Sequence, residues 1–470
     1  MTRTLRALLP LPLIAAALVT APVAVAAPEA NLSKAAPRFD VMTPASTVAS
    51  RTDRRPMAGA VYDKVTDQTI TTWSGQHAHN YVQAYDHKKK TWTAPRQIAD
   101  GESDPHNYPT IVQADDGYLL VFQGMHNKSL RLTRSPKPRS VEGDWTQHTI
   151  AEGAAASYPM PFKTANGTIY VFFRETSQEL DPSKPTDFRP MRYVVSTDNG
   201  RSWRNSEQLT GQRFAIGSTS RADHMDEIYI GQLRYEPASL GNRERVHIVY
   251  TLAGGGPEGH KHDRYHRNIY YAWFDPANRH FYSASGRDLG TQIDDADQEQ
   301  RLKIVETPLA LPGGIKSPDY IQQVGVANGK PFTLWFETDN TGLWHNRAAV
   351  FEGGRWVVTE VATGYRTREI ERLDGNTWRV YATRDAKPDI ETFLLRGGKH
   401  WSPETVIRTP KPVQRVEVVT GFRDPARIIA TGASSDRNVA VADGDIYVAG
   451  LPPARCRLEL PILGCVLRKS

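Results

Sequence analysis

The sequence predicts an all-β chain, a single seven-bladed β-propeller, and three observations carry that expectation. Short β-branched and aromatic runs recur between Gly, Asp and Asn turns. No stretch of useful length shows the 3.6-residue apolar period of an amphipathic helix. Many of the recurring units close on a tryptophan: Trp92, Trp145, Trp203, Trp356 and Trp401.

Residues 1–26 read as a signal peptide. Arg3 and Arg6 form a basic start, Leu8 to Thr20 an apolar stretch too short to span a bilayer, and Ala24-Val25-Ala26 a small-x-small cleavage site. Its removal takes two arginines and no acid from a chain of net charge +6, so the exported protein is mildly basic. Residues 27–51 read as a flexible leader rich in Ala, Pro and Ser, and 52–470 as the propeller. The chain holds 2 cysteines, which excludes a disulfide-stapled scaffold and any cysteine-based metal cluster. Cys456 and Cys465 are expected to form one disulfide in an oxidising compartment, the alternative being two unpaired thiols.

One line of each propeller unit stands out: Thr69 to Trp73, Tyr118 to Phe122, Thr168 to Phe173, Val246 to Tyr250, Phe332 to Phe336, Trp378 to Ala382 and Asp445 to Ala449. Turns at Ala114 to Gly117, Ala165 to Gly167 and Ala327 to Gly329 predict hairpins with an earlier strand. Seven units make repeats of about 60 residues, longer than the ~40–50 of common propellers and accommodated by loops. The sharpest repeat signature is Ser196-x-Asp198-x-Gly200-x-x-Trp203, which resembles the Asp-box of sialidase-like propellers and implies a turn between outer strands.

In such a blade the first strand starts, and the second ends, at the same face. Aligning the hairpins places His106, Tyr158, Tyr229 and Tyr320 before or at the first strand, and His77, His126 and Arg174 after the second. Singly, each has a structural explanation: a His-Asn turn, a core-capping tyrosine, an Arg174–Glu175 ion pair. Together, cationic and phenolic groups at one rim share no structural job. His260, His262 and His266 beside Gly254 to Gly256 could bind a metal, but a mobile loop is the favoured reading, and no metal site is assigned. There is no G-x-S-x-G elbow, P-loop, H-E-x-x-H or dinucleotide fingerprint, and the basic excess is too dispersed for a nucleic-acid reader.

The stretches DPHNYPTIVQADDGYLLVFQGMHN, SYPMPFKTANGTIYVFFRE and the Asp-box resemble the BNR-4 type propellers of secreted polysaccharide lyases, most closely the ulvan lyase families. The likeness is dense from Asp104 to Trp203, weaker to Asp275 and only architectural beyond. It implies β-elimination at a 4-linked uronate, with His106 as candidate base, Tyr158 as acid, Arg174 neutralising the carboxylate, His126 positioning and Tyr229 a looser match. Which of His106, Tyr158 and Tyr229 takes the proton stays open at this point. Asn107, Asn127, His77 and Tyr320 are the expected substrate-binding residues. The resemblance also implies a structural zinc with cysteine ligands, yet no cysteine lies in the matching region. No cofactor is required for this chemistry. The expected protein is a secreted monomer without a membrane span or nucleic-acid partner, acting on an anionic, rhamnose-containing polysaccharide. The alternatives are a hydrolase or lyase acting on terminal rhamnosyl-glucuronate of arabinogalactan-type glycans, and a non-catalytic carbohydrate-binding propeller.

Overall fold

The strand-rich sequence folds as consecutive antiparallel meanders. The computed structural model describes residues 36–452, apart from 50–58, 124, 219–220, 240–241, 310–321, 340 and 386, together with the backbone of 456–460 and 464–467. The expected signal peptide, Tyr320 and the side chains of Cys456 and Cys465 lie outside the described residues. All described residues belong to the compact unit Leu32–Ser470.

Each meander runs strand by strand in chain order. The first comprises Ala60–Asp63, Gln68–Ser74 and Asn80–Asp86, with Thr91–Trp92 and Arg96–Ala99 both paired to the third strand. The second is Thr110–Gln113, Leu119–Phe122, Leu130–Arg134 and Thr146–Ile150, and the third Ala156–Lys163, Ile169–Glu175, Met191–Ser196 and Arg204–Asn205. The fourth is built on Glu227–Glu236, Arg245–Gly254 and Tyr265–Asp275 with shorter outer strands. The fifth starts at Gln323–Ala327 and the sixth at Arg366–Arg372; each has four strands. The last, Val413–Arg423, Ala426–Gly432 and Gly444–Gly450, takes its fourth strand from the other end of the chain, Asp40–Val48. A parallel bridge between Val61 and Thr420 joins its first strand to that of the first meander.

Two sequence expectations are corrected here. Part of the expected leader is a strand: Asp40–Val48 pairs antiparallel with Gly444–Gly450, burying Ala45 and Val48. Its Pro and Ser hide an extended segment whose partner lies some 400 residues away, a contact no local pattern reveals. Asp445 to Ala449, expected as the counterpart of the other six runs, is a third strand, whereas those six are second strands. The second strand of that meander, Ala426–Gly432, carries no aromatic residue and so escaped a search keyed to aromatic content.

Packing follows the two-residue period of a strand. Leu119 and Val121 face the first meander, while Leu120 and Phe122 face the third; all four are fully buried. A sheet covered on both faces therefore reads as a continuous apolar run rather than an alternation. The same division repeats at Ile169–Glu175, where Val171 and Phe173 pack toward the second meander and Tyr170 and Phe172 toward the fourth. Further cores join the fourth to the fifth, the fifth to the sixth, the sixth to the seventh and the seventh to the first.

The Asp-box is a turn, as its residues suggested. Asp198 Oδ1 accepts from Ser196 Oγ at 2.7 Å and from the amides of Arg201 and Ser202 at 3.0 and 2.9 Å, and Oδ2 from Ser202 Oγ at 2.6 Å. Burial opposes its charge, but the Ser202 and Ser196 bonds prevail and draw the carboxyl down to about 2. Trp203 then meets the edge of Phe122, tying this turn to the neighbouring meander.

Candidate active site

The starts of the first strands and ends of the second strands in the second, third and fourth meanders converge on one polar cluster. At its outer side Asp104 opens an Asp-Pro-His turn in which the His106 amide donates to Asp104 Oδ1 at 2.9 Å. His106 Nδ1 lies 2.6 Å from the same oxygen, and His126 Nδ1 2.9 Å from Oδ2. The two imidazoles stack with centroids 3.9 Å apart. Burial opposes the charge of Asp104, yet hydrogen bonds from both histidines hold its carboxyl far below the usual range. An ionised carboxylate only accepts, so both rings carry their proton on Nδ1.

Tyr158 stands next to this pair, its ring centroid 6.1 Å from that of His106 and 6.4 Å from that of His126. The register of Ala156–Lys163 slips between Ser157 and Met160, and Tyr158 sits in the left-handed region at φ 59°. A bulge of this kind re-aims a side chain, and a non-glycine residue there is backbone strain at a site. Beneath it lies Arg174, 1% exposed, with its guanidinium carbon 4.7 Å from the Tyr158 ring centroid and 4.5 Å from that of Tyr229. Its three buried nitrogens lack a well-formed hydrogen bond to any described acceptor. Burial disfavours the cation, but the Tyr229 and Tyr158 oxygens and Glu227 outweigh it and keep Arg174 firmly charged. Tyr229 is held well above the usual phenol range by burial, against the opposing pull of Arg174.

The sequence reading missed the carboxylates that organise this cluster. Glu227, fully buried two residues before Tyr229, lies 3.8 Å from Arg174 Nη1 and 4.0 Å from Arg189 Nε. It accepts from the Asp263 amide at 2.7 Å and lies 2.9 Å from His262 Nδ1. The histidine-bearing loop, read as mobile, is fastened by acids: His260 to Asp187 at 3.0 Å, His262 to Glu227, and His266 to Asp263 at 2.8 Å. Asp104 and Glu227 were visible only as Asp-x-His and Glu-x-Tyr spacings, which are too common to single out without the fold.

The other expected binding residues have hydrogen-bond partners of their own. Asn107 is buried, its Nδ2 donating to the Gly101 carbonyl while its Oδ1 lacks a hydrogen-bond partner among the described residues. Asn127 accepts from Ser157 Oγ at 3.2 Å and Thr176 Oγ1 at 2.5 Å, stapling two meanders together. His77 is exposed at φ 55°, with Nδ1 3.4 Å from Ser103 Oγ.

A cysteine-held zinc does not fit the residues present. Among the described residues Asp187, Asp226 and His260 come together, but His260 Nδ1 lies 3.0 Å from Asp187, the separation of a hydrogen bond. Asp104, His106 and His126 also come together, but separations of 2.6 and 2.9 Å are those of hydrogen bonds and leave no room for an ion between them.

Consecutive antiparallel meanders with a His–Tyr–Arg cluster at one end define a repeat protein, and comparison with known sequences gives its family. Residues 68–363 match the BNR repeat-containing family BNR_4, and the chain belongs to that family. It is 22% identical over 247 residues to the ulvan lyase of Alteromonas sp. (strain LOR), covering 48% of each chain. It is 20% identical over 249 residues to the PL25 ulvan lyase of Pseudoalteromonas sp. (strain PLSV), covering 47% of each. The chain thus spans about half the length of the curated relatives it matches. Among solved structures, a PL25 ulvan lyase bound to -[GlcA(1-4)Rha3S]- superposes with a TM-score of 0.65 at 16% identity, over 86% of this chain and 96% of that one. At that identity the likeness speaks for the fold.

Proposed function

We propose that this chain is an exported polysaccharide lyase that cleaves 4-linked uronate bonds in an ulvan-type polysaccharide by β-elimination. The observation that carries the reading is one cluster holding a base pair, an acid and a buried cation: His106 and His126 on Asp104, Tyr158 beside them, and Arg174 beneath. The scaffold is read as a seven-bladed propeller closed by Asp40–Val48, because the apolar cores run from meander to meander and return from the last to the first.

The chemistry follows from the groups. A neutral imidazole Nε2 removes the C5 proton; the electron pair forms the C4=C5 bond as C4–O4 breaks; Tyr158 gives its proton to O4. Tyr229, held protonated by burial, serves as a hydrogen-bond donor instead of the base. Arg174 supplies the positive charge against which the carbanion's carboxylate develops its negative charge. Its fork of nitrogens, which makes no well-formed hydrogen bond to a described acceptor, is what a carboxylate would engage two at a time, once the strained Tyr158 ring yields its place over the guanidinium. Cleavage after Ala26 would release the mature chain; the described residues hold no helix long and apolar enough to cross a membrane.

The test is to incubate the mature protein with ulvan, gum arabic, pectin fragments, glycosaminoglycans and alginate while following the ultraviolet absorbance of unsaturated uronate. A rise with ulvan supports the reading. New reducing ends without that absorbance would replace it with hydrolysis, and binding without cleavage with a carbohydrate-binding propeller.

A further inference from the structure

The Asp104 carboxylate has a geometry that ordinary turn formation does not require. An Asp-x-His turn needs only the amide contact to Oδ1. Here the same oxygen also meets His106 Nδ1, and the second oxygen reaches across to His126, 22 residues further on in another strand connection. All three side chains are partly covered, at 18%, 22% and 32% exposure for His106, His126 and Asp104. One carboxylate is thus shared between two stacked imidazoles.

We propose that Asp104 is a positioning residue that joins His106 and His126 into one proton-accepting unit, fixing Nδ1–H on both rings and leaving Nε2 as the basic nitrogen of each. Both rings then meet the sugar in the tautomer a general base needs, and neither has to rotate or exchange a proton before reacting. The unit takes up a single proton. A second would sit on a ring stacked 3.9 Å from the first, against one negative charge already satisfied by two N–H donors.

Other groups around the pair do not change that balance. Tyr158 faces both rings, and Arg174 behind it opposes protonation. On the flanking loops Glu102 is paired with Lys128 and Arg131, and His77 with Ser103. Asp104 is a carboxylate in direct contact with both rings.

The role in catalysis rests on the lyase reading. There, the C5 proton passes to Nε2 of the pair and the resulting imidazolium is neutralised by Asp104. O4 leaves with the proton of Tyr158, and solvent carries the imidazolium proton back to the phenolate, so the enzyme ends as it began. The tautomer assignment is independent of any substrate.

The experiment has two readouts on the full mature chain. Nitrogen-15 NMR of histidine-labelled protein, with His106→Gln and His126→Gln variants for assignment, should show both rings as Nδ1–H tautomers and one protonation shared between them. An Nε2–H tautomer on either ring, or two independent protonations, would overturn the proposal. Asp104→Asn should lower kcat by about a hundredfold or more with KM little changed. It should also move the acid limb of the pH profile to lower pH, because the imidazolium loses its counter-charge; Asp104→Glu should restore part of the rate. Activity of Asp104→Asn within about threefold of the parent, on an unmoved limb, would equally overturn it. If no polysaccharide is cleaved, the NMR result still decides the role of Asp104 by itself, so the two failures are distinguishable.

Discussion

Replacing Arg174 by lysine isolates the planar guanidinium from its charge. Arg174→Ala would remove both and leave Glu227, fully buried 3.8 Å away, without its nearer arginine partner. Breaking a buried pair in that way costs about 3–5 kcal/mol, a large part of a typical domain's 5–15, so lost activity in Arg174→Ala would be confounded with a weakened fold. Lysine keeps a positive charge under Tyr158 and Tyr229 but has no fork with which to hold a carboxylate through two parallel bonds. Losing such a directed donor from the transition state costs about 10²–10³ in kcat, or roughly 3–4 kcal/mol. Initial rates of unsaturated product on ulvan, fitted separately for kcat and KM, should place most of the loss in kcat. The melting temperature should fall by much less than in Arg174→Ala. A lysine variant with the parent's kcat would refute the assignment of Arg174 to the charge that develops during elimination.

Three further outcomes follow from named groups. Tyr158→Phe removes the proton donor while keeping the ring over Arg174, and should cost about 10²–10⁴ in kcat; near-normal turnover would assign the acid elsewhere. Glu417, 4% exposed, is pushed up to about 7 by burial, against the opposing pull of Arg415 and the Gly59 amide. Its contribution to stability is complete below the unfolded value of 4.5 and lost as pH rises to about 7, a change of about 3 kcal/mol at 1.36 per unit. Glu417→Gln should therefore flatten the fall in melting temperature between those pH values, and an unchanged slope would contradict the burial argument. Asp198→Ala should destabilise the fold by about 1–3 kcal/mol through loss of the Asp-box turn, seen as a lower melting temperature, yet leave kcat alone, since no group of the cluster touches it. A catalytic defect in a stably folded Asp198→Ala would contradict that separation.

The second strands of six meanders were legible because a sheet buried on both faces writes an unbroken apolar run, as Leu119–Phe122 does. His106, His126, Tyr158, Arg174 and Tyr229 followed from that register: once second strands are placed, the side chains at one end of consecutive hairpins must come together. The closing strand Asp40–Val48 was not legible, because its pairing with Gly444–Gly450 is set by chain ends meeting in space. Nor was the carboxylate framework. Glu227 and Asp104 gain meaning only from distances to Arg174 and to the two imidazoles, which arise between different strand connections. Nor did the His-Asn dipeptide reveal that the Asn107 amide pins its own loop through the Gly101 carbonyl.

The most direct test of the central claim is to cleave ulvan in heavy-oxygen water and weigh the products. Elimination adds no water across the broken bond, so the account predicts oligosaccharides bearing a C4=C5 double bond and no heavy oxygen at the new ends beyond slow exchange at the reducing end. Products carrying heavy oxygen at the cleaved bond, and no double bond, would contradict elimination and convert the same residues into a hydrolytic site.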